Sequence, residues 1–126
     1  MKITNNNKFI LGNKDDFSET KGYFIGQFMG QRGFPELETE EVEVAWKTLP
    51  TNFSEEPHYH KGGVEINIVI KGSYKAIVNG QELTLTAGNF LVVYPQTVLQ
   101  NVSAEEGTEL IVVKAPSVPD DKFIVE

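Results

Sequence analysis

The sequence predicts an all-β domain, an antiparallel sandwich or barrel, and three observations predict it. Short β-rich runs recur between turn signals, and nothing from Val42 onward sustains a helical period. Asn79-Gly80, the preferred pair for a two-residue type I′ hairpin, separates two such runs. The length, 126 residues, suits one domain that can hold a core without staples. The absence of cysteine excludes disulfides, thiolate metal sites and cysteine nucleophiles together.

Taken in order, residues 1–40 read as an N-terminal arm and edge strand of the same domain. Residues 23–29 suit the edge strand, weakened by Gly22, Gly26 and Gly30, and residues 30–40 read as a loop over the barrel mouth. Residues 41–115 carry the barrel. Val42, Val44 and Trp46 alternate with Glu43, Ala45 and Lys47, giving a strand with one strongly apolar face. Residues 64–70 form another strand, and residues 73–78 and 81–86 flank the hairpin turn. Residues 90–94 and 110–113 complete the set. Residues 116–126 contain Pro116 and Pro119, so they cannot continue a strand and read as a tail extended over the surface.

The formal net charge is −7 and Arg32 is the sole arginine, a balance that repels phosphate backbones and argues against nucleic acid as a partner. The planar guanidinium of Arg32 suits a substrate carboxylate, while its Gly-Gln-Arg-Gly setting equally describes a solvated loop charge. No apolar run reaches membrane-spanning length, and the first residues lack the apolar stretch of a secretory signal. A cytoplasmic protein without a membrane partner is the expectation.

Chemistry concentrates in His58-Tyr59-His60-Lys61-Gly62-Gly63-Val64-Glu65, which holds both histidines of the chain. Two histidines one residue apart on an extended chain point to the same side. Gly62-Gly63 lets the chain reverse, so Glu65 can return beside the imidazoles on the neighbouring strand. Two nitrogen donors and a carboxylate on a rigid sheet suit a divalent transition metal and leave coordination positions open. A rival reading comes from Val64, Ile66, Ile68 and Ile70, an apolar face that would ordinarily send Glu65 and Asn67 to solvent. The metal reading places Glu65 and Asn67 inside and turns the isoleucines outward, where the N-terminal segment or a second subunit must cover them.

His58, His60, Glu65 and Gly72 resemble the first sequence motif of the cupin superfamily at every one of its spaced positions, with Asn52 where a preceding glycine is usual. The second motif begins at Gly88-Asn89. Pro95 stands one residue late, Thr97 replaces a glycine, and Gln100 falls where the third histidine is expected. The resemblance spans about residues 42–113. It implies an antiparallel double-stranded β-helix, the jelly-roll barrel, holding a divalent transition metal (Fe, Mn, Ni, Zn or Cu) on His58, His60 and Glu65. Resemblance to cupins with a glutamine ligand implies that Gln100 joins the set through its neutral amide oxygen, while a Gln100 turned away leaves a facial two-histidine, one-carboxylate site. The resemblance further implies a homodimer and a small-molecule ligand. Asn67 on the face of Glu65, Trp46, and Tyr94 near Gln100 read as pocket residues against plain core packing or solvent exposure, with the Tyr94 hydroxyl as the one nearby catalytic candidate. One negative ligand leaves the ion net positive, which favours an anionic, chelating substrate. The superfamily permits oxygenases, isomerases and lyases and does not choose among them. A non-enzymatic ligand- or metal-binding module and a relic with an empty site are the alternatives.

Overall fold

A computed structural model describes residues 4–5 and 9–125. Strands β1 (Thr4–Asn5) and β2 (Ile10–Leu11) pair with each other. They are followed by β3 (Tyr23–Ile25), β4 (Glu43–Thr48), β5 (His58–Tyr59), β6 (Val64–Lys71), β7 (Ser73–Val78) and β8 (Gln81–Thr86). The chain then forms β9 (Phe90–Val93), β10 (Leu99–Ala104), β11 (Glu109–Ala115) and β12 (Phe123–Ile124). Two five-stranded antiparallel sheets result, in the orders β12-β5-β10-β7-β8 and β3-β4-β11-β6-β9. This is the all-β antiparallel architecture expected, a double-stranded β-helix. The β7–β8 hairpin turns at Asn79 (φ 46°) and Gly80 (φ 83°), the pair of left-handed residues that a type I′ turn requires.

The sheets close on one apolar core. Val69, Leu110 and Val112 from one sheet meet Tyr74, Ala76, Leu85 and Leu99 from the other, with Leu49 beside them. Rows of side chains across the second sheet show how this core gives way to a polar end. The row Lys47–Leu110–Val69 is mostly apolar, Ala45–Val112–Asn67–Leu91 is mixed, and Glu43–Lys114–Glu65–Val93 carries three charges. Outside the barrel, short 3₁₀ segments at Lys14–Thr20, Gly30–Arg32 and Pro35–Leu37 surround β3. Their apolar residues Phe17 and Leu37, with Met29 in the turn before Gly30, form a second, smaller core.

Three expectations are corrected. The edge strand foreseen over 23–29 covers Tyr23–Ile25 alone; Gly26 at φ 158° begins the turns that replace its second half. Trp46 does not line the barrel. β4 turns Glu43, Ala45 and Lys47 inward and Val44 and Trp46 outward, since Ala45 sits opposite buried Val112 and Trp46 opposite Ile111. The N-terminal block packs there: Lys14 lies over the indole, whose N–H donates to Glu109 at 3.2 Å. Gly22 comes so close that an added Cβ would fall 2.2 Å from the Trp46 carbonyl oxygen. An outer face covered in this way accommodates a large apolar side chain.

The tail is the third correction. Its prolines do end β11, but the chain folds back and pairs Phe123–Ile124 with β5, and Ser117 is buried. The Ser117 N–H donates to the Glu40 carbonyl at 2.9 Å, and its hydroxyl donates to Glu43 at 3.2 Å. Phe123 stacks on Tyr59 while the Lys61 ammonium sits over the Phe123 ring.

Candidate metal centre and barrel cavity

Pleat alternation sets the face of each candidate. On β6, Glu65 and Asn67 are 6% and 5% exposed, whereas Ile68 and Ile70 are 39% and 41% exposed. Glu65 and Asn67 therefore face the barrel interior and the isoleucines face out. His58 on β5 and His60 just after it are both buried, their ring centroids 5.3 Å apart and their planes nearly perpendicular. Gly62 and Gly63 permit the reversal and also a close approach. A Cβ on Gly63 would lie 2.7 Å from the Ala115 carbonyl oxygen. One on Gly62 would lie 2.8 Å from Val118.

The two imidazoles share a tautomer. His58 Nδ1 lies 2.8 Å from the Glu56 carbonyl oxygen, and His60 Nδ1 contacts the Asp121 carbonyl oxygen. A carbonyl only accepts, so both Nδ1 atoms carry the hydrogen and both Nε2 atoms keep a lone pair in the neutral ring. His60 Nε2 is buried with no hydrogen-bond partner among the described residues, and Glu65 Oε1 lies 3.1 Å away, an ion pair when the ring is protonated. Glu65 Oε2 accepts from the Asn67 amide at 2.9 Å. Burial opposes ionisation of Glu65, but His60, the Lys114 ammonium and the Asn67 amide outweigh it and hold the carboxyl at about 2. Burial likewise works against His60⁺, and Glu65 with the Asp121 carbonyl raises its pKa above the usual value.

The donor types, with His60 Nε2 and Glu65 Oε1 buried 3.1 Å apart, fit a divalent ion that takes nitrogen and oxygen ligands. The fit is one of chemistry rather than of finished geometry. Among the described residues, no three His, Asp or Glu side chains converge as they stand to hold an ion.

Gln100 is not brought to this group. Leu99, directly opposite His58, is 1% exposed, and the next inward residue, Asn101, donates to Glu55. Gln100 lies between them on the outer face, opposite Ile77. The expected amide ligand is thereby corrected, and a leucine side chain faces His58. The phase is set by the preceding loop, where Gln96 adopts φ 67° and its N–H donates to the His60 carbonyl at 2.8 Å. Tyr94 is corrected for the same reason of alternation. Val93, opposite Glu65, points inward, and Tyr94 follows on the other side with 66% exposure. Arg32 is exposed, its guanidinium 4.8 Å from the Phe28 ring centroid.

Several residues of the site escaped the sequence reading. A cavity of about 210 Å³ adjoins His60 and Glu65, floored by Glu43 and Lys114 and walled by Gln27, Phe28, Val118 and Asp121. Lys114 lies in the ladder between Glu43 and Glu65, its Nζ 3.9 Å from Glu43 Oε2. Burial works against its charge, but Tyr23, Glu65 and Glu43 outweigh that and raise its pKa. Tyr74, buried opposite Leu85, has a hydroxyl without a hydrogen-bond partner among the described residues; burial, with the carboxylates of Glu65 and Glu55, keeps it protonated. Inward alternation with Ala76 was the one signal that pointed to Tyr74.

Known structures share this fold. KdgF from Halomonas sp. superposes with a TM-score of 0.60 at 21% identity, covering 65% of this chain and 74% of that one. Pac13 from Streptomyces, described as a unique nucleoside dehydratase, gives 0.61 at 14% identity over 70% and 71%. A Klebsiella pneumoniae protein with a double-stranded β-helix domain gives 0.61 at 23% identity over 71% and 79%. No curated protein matches the sequence. The family model for the cupin domain matches residues 45–114, more than half of the chain, and with the barrel and its inward His60 and Glu65 now described, the chain belongs to the cupin family.

Proposed function

We propose that the protein binds a divalent transition ion through His58, His60 and Glu65 and uses it on a small anionic molecule held in the adjoining cavity. One observation carries this reading: both imidazoles commit Nδ1–H to main-chain carbonyls, so both present Nε2 as a donor. Asn67 fixes one Glu65 oxygen and leaves the other toward His60. A bound ion of this kind supplies Lewis-acid or redox chemistry at its open positions. Lys114, among the carboxylates of Glu43, Glu65 and Asp121, contributes positive charge at the cavity and suits a ligand carboxylate. Tyr74 holds a protonated hydroxyl among the interior residues. The same fold houses a nucleoside dehydratase in Pac13, which admits oxygenase, isomerase or lyase chemistry here without selecting one.

The outer face of β6 and β9 exposes Ile68, Ile70, Phe90, Val92 and Tyr94 together, and a second copy of the chain covers it in a homodimer. A cysteine-free chain with net charge −7 is in keeping with a cytoplasmic protein that avoids nucleic acid. No helix among the described residues is long and apolar enough to cross a membrane.

The alternative is a non-enzymatic binding module. Glu43, the floor carboxylate outside the proposed ligand set, is engaged by Ser117 and Lys114, so it is not a free general base. Elemental analysis of the purified protein, followed by Co²⁺ or Zn²⁺ reconstitution of wild type and His58→Ala, tests the metal reading. A single ion per chain, lost in the variant, is expected. Absence of metal after reconstitution overturns it, and tight carboxylate binding without turnover selects the module.

A further inference from the structure

We propose that the C-terminal segment is a working part of the site, with Asp121 as a positioning residue that presents its own carbonyl to His60 and so fixes which ring nitrogen is left to bind. The inference rests on the metal reading for its consequence, but its geometry stands apart from it.

Two independent sets of contacts hold the segment in place. The Asp121 carboxylate accepts from the backbone N–H of Lys61 at 2.8 Å and of Gly62 at 2.9 Å. Those amides follow His60 directly, so the side chain of Asp121 grips the loop whose imidazole meets its carbonyl. On one flank Ser117 and on the other Lys122, which donates to Glu55 at 2.9 Å, pin the segment to the barrel. Pairing of β12 with β5 secures its far end. Gly62 allows the approach. Any Cβ there would lie 3.2 Å from Asp121 Oδ2 and 2.8 Å from Val118, pushing the segment away.

An imidazole donating Nδ1–H to a fixed carbonyl cannot exchange that hydrogen to Nε2 without losing the bond. The partner thereby sets both tautomer and ring orientation, and loss of such an outer partner typically weakens metal binding 10–100-fold. Val118, Asp120 and Lys122 of the same segment wall the cavity, so one stretch of chain serves ligand space and His60 together.

The test uses the full-length, metal-free protein at alkaline pH. Long-range ¹H–¹⁵N correlation spectra of His60 are expected to show the Nδ1–H tautomer in wild type and a mixture in Asp121→Ala and Gly62→Ala. Asp121→Asn, which keeps one acceptor oxygen but sets its NH2 against the other backbone N–H, should restore part of it. Co²⁺ affinity should fall about 10–100-fold in the first two variants and recover in part in the third. Amide dispersion reports whether each variant is folded; if Asp121→Ala is not, Asp121→Asn and Gly62→Ala decide. An Nε2–H tautomer in wild type, or unchanged tautomer and affinity in folded variants, overturns the proposal. A locked Nδ1–H tautomer in a wild-type protein that takes up no metal leaves the positioning role standing and removes the metal reading instead.

Discussion

The two faces of β6 reverse the arrangement of an ordinary surface strand. The inner face runs Glu65, Asn67, Val69, and the outer face runs Ile66, Ile68, Ile70. Both have the strict period of two that a pleated strand imposes. They differ in what the surroundings supply. Inside, His60, Lys114 and the Asn67 amide compensate the buried Glu65 charge, which no apolar core would tolerate. Outside, Ile68 and Ile70 are left more than a third exposed by the described residues, and Phe90 beside them is 70% exposed. Apolar character thus lies on the exposed outer face, and polar character on the buried inner one.

The largest expected effect lies at the apolar end of the interior. Leu110→Ala should lower stability by about 2–5 kcal/mol in urea titrations while metal affinity of the folded protein stays unchanged. An equal fall in metal affinity would show that the two ends of the barrel are not separable. Next, Glu65→Gln should weaken metal binding by about 100-fold, roughly 2.7 kcal/mol, in a chelator competition. Retained affinity would return β6 to the reading in which its polar face is merely solvated. On the outer face, Phe90→Asp should shift a dimer toward monomer in sedimentation by about tenfold or more in the dissociation constant. As an exposed side chain it should change monomer stability by no more than about 0.5 kcal/mol.

The smallest effect concerns Glu55. Burial raises its pKa, but the hydrogen bonds from Lys122 and Asn101 prevail and hold it below the usual carboxylate value. A carboxyl depressed in the folded state contributes stability above the unfolded pKa, near 4.5, and loses it as pH falls through the folded value. Acid titration of the melting temperature should therefore decline below about pH 4.5, and Glu55→Gln should flatten that decline by less than about 1 kcal/mol. An unchanged acid limb would mean that the Lys122 contact is too solvated to matter.

Much of the barrel was legible because its signals are local. Asn79-Gly80 dictated the hairpin by backbone preference alone, and the runs around it paired in register. Glu65 was legible through its spacing from His58 and His60, against the pull of the neighbouring isoleucines. The same inversion applies to β4, where Glu43 and Lys47 face in and Trp46 faces out. There the sequence offered no motif to override the habit of placing tryptophan inside. Gln100 and Tyr94 were misplaced because pleat phase after a loop depends on how the loop is anchored. The hydrogen bond from Gln96 to His60 is invisible in the one-dimensional pattern. The C-terminal segment was misread because Pro116 and Pro119 mark where a strand stops and say nothing about where the chain goes next.

The second small core has a consequence of its own. Phe17, Met29 and Leu37 anchor the block that carries Gln27 and Phe28 over the cavity, independently of Leu110 and Val69 below. Those walls join the floor through the Gln27 N–H, which donates to Ser117 Oγ at 3.1 Å, a main-chain contact independent of the side chain at 27. Exchanging residues 26–38 as a cassette would recut the shape of the binding space while leaving the floor and its donors in place, a route by which one scaffold can be fitted to a succession of ligands.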